Sequence, residues 1–472
     1  MKLERIKSIL LVLLVISSIV LTVNKWFDEK LWPEGYNFFS DVKNGFASKA
    51  SKEVPFNPNE EVLRPAKIII NNSGNHILYT KSSDEYAALF GEIKKVLTAS
   101  VSVDEEIEVS SKEWNNRLKS KSCYFSYPVT YDYGFLFSQL TNKYSNRDLY
   151  CKEFLISYDS RLSSSLDLYF KDAKTEKISQ KRISFDGKTI KSQIEKISSS
   201  NENNFYSFEL NFDTQKADSV DQPVIIDSDV LINVSQKNLP NIVETNVFAD
   251  IANNEELHSA VLSVFGFNTS SIRRYVESDN SIVFVENYGT AKLKTNALLD
   301  FKAVNNSMGI ELEGNNSYES INSCITFVNS VTSSLFSGNE MTYEISSDIS
   351  DIKSRTYTLE FDYYLKDNMI AVSGDDYGMD HAIVVEVVSG KIVSYKQICK
   401  DFSSSSEMLT CASAIEAIDA LYAGNQSGEA ITDIFTAYKF DVAKNKWSPC
   451  WYIERSDGLI SEIPLSSGGD GA

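Results

Sequence analysis

The stretch "WSPCWYIERSDG", Trp447 to Gly458, gathers two of the chain's five tryptophans and one of its six cysteines. A thiol among aromatic rings is a nucleophile only if a neighbouring base or positive charge makes it a thiolate. The three histidines, His76, His258 and His381, are far apart, and none lies within sixty residues of Cys450. The alternation of side chains supports another reading. In a strand, Trp451 and Ile453 point one way while Cys450, Tyr452 and Glu454 point the other. Pro449 suits the start of such a strand, where a missing N–H is tolerated. Asp457-Gly458 is a tight-turn signal. The stretch therefore reads as a closing hairpin with Pro449, Trp451, Ile453 and Gly458 as its structural signature, and Cys450 as a buried thiol.

Carboxylates offer a second chemistry. "SGDDYGMDHAI" brings Asp375, Asp376, Asp380 and His381 together as three hard oxygen ligands and one imidazole. It lacks the terminal glutamate of a calcium loop in register, so it reads as a solvated acidic turn. Asp227 and Asp229 fall two apart, on one side of any strand. Paired carboxylates do acid–base work only when burial or a neighbour splits their pKa values. Nothing nearby in sequence does so, and the pair reads as an exposed loop. There is no glycine-rich phosphate loop, no Gly-x-Ser-x-Gly elbow and no His-Glu-x-x-His. Cys123, Cys151, Cys324, Cys399, Cys411 and Cys450 form no Cys-x-x-Cys pair. Cys399 and Cys411 are the first candidates for a disulfide, with free buried thiols as the alternative. No catalytic, cofactor-binding or metal-binding residue is assigned, and no cofactor is implied.

These residues sit on a chain of 472 residues, too long for one ordinary core. A hydrophobic fraction of 42% implies folding, and a net charge of −19 excludes nucleic acid as a partner of the main body. At the amino terminus, residues 1–7 carry Lys2, Arg5 and Lys7 and read as cytoplasmic. Residues 8–27 form an apolar run long enough to span a bilayer. No small-x-small cleavage pattern follows it, so it reads as an uncleaved transmembrane anchor rather than a signal peptide. Positive charge before the helix and Asp28 and Glu29 after it place the rest outside the membrane. Ser17, Ser18 and Thr22 interrupt the run. Ser18 and Thr22 share a helix face that suits either a neighbouring helix or bonding back to the helix's own carbonyls.

Residues 28–62, with three prolines in "KASKEVPFNPNEEVLRP", read as a stalk. The expected fold is α+β: a single amino-terminal transmembrane helix, then several mixed exterior domains of antiparallel sheets with packed helices. The units are 63–245, 246–372 and 373–465, with a frayed tail at 466–472. In the first, "SSDEYAALFGEIKKVLTAS" has helical spacing with Ser82 or Ser83 as cap, and Ser110 and Glu113 form a capping box for a second helix. In the last, "TCASAIEAIDALYAGN" is a helix capped by Thr410. A hairpin, a helix and two strands occur in that order in both halves of 280–465.

The apolar start, followed by "AIVVEVVSGKIVSYKQI", "SAIEAIDALYAG", "ITDIFTAYKF" and "PCWYIERSDGLISEIPL", resembles the YycH regulatory proteins of Gram-positive bacteria. The carboxyl-terminal region is similar to YycI. The resemblance implies a single-pass membrane accessory of a two-component system governing cell-wall metabolism. It further implies partners: a sensor histidine kinase of the WalK/YycG type and a YycI-like companion, met partly through membrane helices. The Ser17, Ser18 and Thr22 face would then be a partner contact. Such proteins carry no catalytic residues to transfer. The alternatives are a stand-alone ligand-binding sensor at the cell surface and a wall-active enzyme using Asp375 or Asp227.

Overall fold

The computed structural model describes residues 62–464 apart from 142–147, 159–163, 200–205, 209–223, 234–236, 269, 337–339, 351, 373–376, 424–428 and 443–444. The expected anchor with Ser17, Ser18 and Thr22, all but the last residue of the stalk, the tail, and Asp375 and Asp376 lie outside the described residues. Among the described residues, no helix is long and apolar enough to cross a membrane.

The first sheet contains β1 (Lys67–Asn72), β2 (Asn75–Tyr79), β3 (Ile107–Val109), β4 (Ser122–Asp132), β5 (Tyr150–Ser157), β6 (Ser165–Asp172) and β7 (Ile178–Ser184). Its order is β2-β1-β4-β5-β6-β7-β3, antiparallel throughout. The period of two in a strand assigns its residues to two cores. Ile68, Ile70, Phe125, Phe154 and Phe170 enter one, and Ile69, Tyr124, Leu155 and Tyr169 enter the other. Helices α1 (Tyr86–Ser100), α2 (Ser111–Leu118), α3 (Tyr133–Thr141) and α4 (Lys188–Ser199) cover both faces. Trp114 and Leu118 of α2 close the second face, and apolar side chains of the other three close the first. Glu113 N–H donates to Ser110 Oγ at the start of α2, as the capping box requires. The expected cap of α1 is not formed. That helix starts after Glu85 without a side-chain cap, and Ser83 Oγ instead accepts from Thr80 N–H in the preceding turn.

The remaining elements are β8 (Tyr206–Ser207), β9 (Ile232–Asn233), β10 (Lys237–Asn246), α5 (Glu255–Val264), β11 (Arg273–Val276), β12 (Ile282–Val285), β13 (Gly289–Leu293), β14 (Leu298–Ala303) and β15 (Ile310–Glu311). Then come α6 (Ser317–Leu335), β16 (Met341–Ile345), β17 (Tyr357–Leu365), β18 (Asn368–Ala371), β19 (Ile383–Val388), β20 (Lys391–Ile398) and β21 (Lys400–Cys411). Last are α7 (Ala414–Ala423), β22 (Ile431–Asp441), β23 (Lys446–Arg455) and β24 (Ile460–Pro464). Thirteen of these strands make one sheet along the path β11-β12-β13-β14-β20-β19-β17-β18-β22-β23-β24, with β15 on β20 and β16 on β17. Its hydrogen bonding runs across the expected 372/373 boundary, because β14 pairs β20, β17 pairs β19 and β18 pairs β22. Strand β10, from within 63–245, pairs β21 in a separate two-stranded ribbon.

Strand β21 corrects two expectations. Its serine-rich sequence offers little apolar alternation, and its pairing with β10 makes it a strand. Thr410 therefore lies in β21, and Ser413 is the cap of α7: Glu416 N–H donates to Ser413 Oγ while Ser413 N–H donates to Glu416 Oε2. Cys399 precedes the strand and Cys411 ends it, roughly 40 Å apart if it is straight. They are not bonded; all six cysteines are free and buried. In the β19–β20 hairpin Gly390 has φ +79°, a left-handed conformation that favours glycine.

Candidate functional site

The two sheets meet along a seam that is charged as well as apolar. Lys67 of β1 donates to both carboxylate oxygens of Asp433 on β22, at 2.9 and 3.1 Å. Lys81 pairs with Glu344 of β16 at 2.7 Å. The Tyr318 hydroxyl of α6 donates to Asp132 Oδ1 at 2.6 Å, and Ile349 N–H donates to Thr130 O at 3.1 Å.

A strap around Asp227 and Asp229 adds to this joint. Its backbone is held by the second sheet: Ile431 N–H donates to Ile225 O, and Asp227 N–H to Ile431 O. Its side chains face the first sheet. Ser228 Oγ donates to Asn115 Oδ1 at 2.8 Å, and Asp229 lies 3.7 Å from Lys171 Nζ on β6. Lys171 also lies 3.9 Å from Glu153 of β5, which accepts from the Tyr124 hydroxyl at 2.7 Å. Burial, with the Asp229 charge added, raises the Glu153 carboxyl to about 7 against the opposing pull of Lys171 and Tyr124. Burial and then Asp229 also raise Asp227. Burial pulls Lys67 down, but Asp433 outweighs it and the ammonium ends above its ordinary value. Asp433 ends below its own despite burial, held by Lys67.

The structure thus treats the two aspartates differently. Asp227 is the more exposed of the two, only partly covered as a loop residue would be, whereas Asp229 is mostly buried against charges from the other sheet. Lys171, between Glu153 and Asp229, ties the strap to the first sheet. A groove of 540 Å³ beside α6, lined by Glu311, Glu319, Asn322 and Phe327 among others, shares no residue with this joint.

His381 sits in a second cluster. Its Nδ1 meets Asp362 at 3.1 Å and Ser346 Oγ at 3.1 Å, and its Nε2 faces Glu360 at 3.4 Å. The hydrogen bond to Asp362, against the cost of burial, raises the imidazole pKa, with Glu360 and Asp380 adding to it. A nucleophile relay needs the hydroxyl and the carboxylate on opposite ring nitrogens. Here both meet Nδ1, so the cluster holds the imidazole between two β17 carboxylates. Among the described residues no group of three or more His, Cys, Asp or Glu could hold a metal ion.

The closing hairpin is apolar. Trp451, 3% exposed, and Ile453 enter the main core, and the indole N–H of Trp451 donates to Ala412 O at 3.0 Å. Cys450 and Tyr452 enter a small separate core with Ala437. Burial pushes the Cys450 thiol up to about 12, away from thiolate chemistry. Strand β23 begins at Lys446, so Pro449 lies inside it rather than at its start. Strand β24 ends opposite Cys450, so on that side no partner strand needs an N–H from Pro449. Gly458 turns the chain with φ +77°, and its N–H donates to Arg455 O.

Sequence reading missed Lys67, Glu153, Lys171 and Asp433 as a group. Their signal is faint: a charge at a strand end or inside an apolar strand, as in "YCKEFLIS" and "ITDIFTAY". Nothing local says that these charges come from segments more than 350 residues apart, as Lys67 and Asp433 do.

No family model matches the chain, and no curated protein matches it in sequence. Its architecture is similar to the crystal structure of YycH from Bacillus subtilis, with a TM-score of 0.56 and 14% identity, over 86% of this chain and 96% of that one. At this identity the likeness is one of architecture, and the chain has a YycH-like fold.

Proposed function

We propose that this chain is a membrane-anchored extracytoplasmic accessory protein. It modulates a WalK/YycG-type sensor histidine kinase controlling cell-wall metabolism, by contact with the kinase and with a YycI-like companion. The observation that carries this reading is the YycH-like fold over 86% of the chain, standing behind the apolar segment at 8–27. No catalysis is needed. An accessory helix shifts a two-state kinase only by binding one state better than the other. A tenfold shift asks for about 1.4 kcal/mol of differential contact. Sharing one membrane raises the effective concentration of both proteins. The Ser17, Ser18 and Thr22 face supplies close helix approach, and the exterior body supplies the companion contact.

The test is co-purification from membranes of cells making the kinase, followed by kinase output. The full chain carries the kinase with it. Replacing Ser17, Ser18 and Thr22 by leucine lowers that recovery several-fold while leaving the exterior body folded. If output is unchanged by deleting the whole protein, the reading fails.

A further inference from the structure

Strand β11 is an outer edge of the thirteen-stranded sheet, pairing on one side only, with β12. All four of its side chains are exposed, with Tyr275 51% and Val276 58% accessible. It lacks the buried face that normally holds a strand in place. The opposite edge, β24, is guarded: it ends in Pro464, and its Glu462 is paired with Lys439. Strand β11 has no proline.

Register determines what this edge offers. Glu277 N–H donates to Ser281 O, so Tyr275 and Arg273 also turn their backbone groups inward. The free N–H and C=O groups along the edge belong to Arg274 and Val276. Arg274 is occupied on one face, donating to Glu255 Oε1 at 2.8 Å and to Ala252 O at 3.0 Å. The other face presents Arg273, Tyr275 and Glu277 in line, a cation, an aromatic ring and an anion. Arg273 makes no ion pair among the described residues, while Glu277 touches Lys292 and remains 42% exposed.

We infer that β11 pairs with β11 of a second copy of this chain, antiparallel about a two-fold axis through Tyr275. That register joins the free backbone groups of Arg274 in one copy to those of Val276 in the other. It sets Tyr275 against Tyr275 as a close, non-hydrogen-bonded pair, and each Arg273 against the partner copy's Glu277. The triplet is self-complementary only in this antiparallel sense, as an isologous contact requires. Four residues a side bury far less than the ~800 Å² per partner of a standard interface, so the pairing is weak and is best caught covalently.

The experiment uses Tyr275→Cys in the full chain, with oxidised glutathione as oxidant. The native thiols are buried, and facing Cα atoms in such a pair lie about 4.5 Å apart, within disulfide reach. Disulfide-linked dimer is expected to form faster than with Val442→Cys, which is 82% exposed and lies elsewhere. Adding Arg273→Glu sets two like-charge pairs across the axis and lowers the yield about tenfold. Adding Glu277→Arg instead does the same. Mixing these two chains restores the yield, in mixed dimers alone. Equal cross-linking at residues 275 and 442, or cross-linking indifferent to the charge reversals, overturns the inference and leaves β11 a charge-guarded edge.

Discussion

Strand β23 of the closing hairpin packs into the core and the charged joint is partly buried, and the two are held by opposite means. Trp451 and Ile453 are fixed by apolar burial with one indole hydrogen bond. The joint is fixed by Lys67 on Asp433 and by Lys171 between Glu153 and Asp229. Apolar burial does not depend on protons, whereas a carboxyl raised to about 7 does. The difference separates a part that only has to fold from a part whose cohesion responds to its surroundings.

Trp451→Ala should have the largest effect, costing about 3–5 kcal/mol by cavity formation and lowering the thermal midpoint equally at pH 5 and pH 8. A pH-dependent loss would show the hairpin to be electrostatically held after all. Lys67→Met comes next, at about 2 kcal/mol, because it leaves Asp433 mostly buried without its cation; denaturant unfolding measures it. Its size should shrink only in stronger acid than the ordinary Asp value of 3.8, because Lys67 holds the Asp433 carboxyl charged below that value.

Glu153→Gln tests the proton linkage directly. The folded carboxyl keeps its proton up to about pH 7, while the unfolded chain loses it near 4.5. The folded state therefore binds more protons in that window, and stability falls as pH rises through it. Glutamine mimics the protonated form. The variant should be steadier than the parent by roughly 2 kcal/mol at pH 8 and should lose the slope between pH 5 and pH 7. His381, also raised, carries the decline upward from its unfolded value of 6.5 through its folded pKa; His381→Gln should flatten that upper part. The smallest effect is Cys450→Ser, under about 1 kcal/mol, since a serine hydroxyl can donate to Ala437 O as the thiol does. A large loss there, read by the same unfolding curves, would reopen the thiol chemistry.

Some local chemistry is readable in the sequence, though not the caps of α1 and α7, and distant pairing is not. Ser110 and Glu113 mark the start of α2, and Asp457-Gly458 the final turn, because capping and tight turns depend on residues a few positions apart. The strand β21 was hidden because serine carries little strand preference and its partner, β10, lies more than 150 residues earlier. The joint was hidden for the same reason: Lys67 and Asp433 mean nothing until the sheets meet. Asp229 was half visible, as a carboxylate two residues from Asp227, but the Glu153 that raises its interest sits on β5. Pro449 was read as a strand start, when the end of β24 explains its tolerance inside β23.

Regulation by contact, as proposed above, can be measured as autophosphorylation of the purified WalK/YycG-type kinase in lipid vesicles, with and without the full-length chain. The rate should change when the chain is present and return to the basal value when Ser17, Ser18 and Thr22 are replaced by leucine. One rate in all three preparations would contradict it.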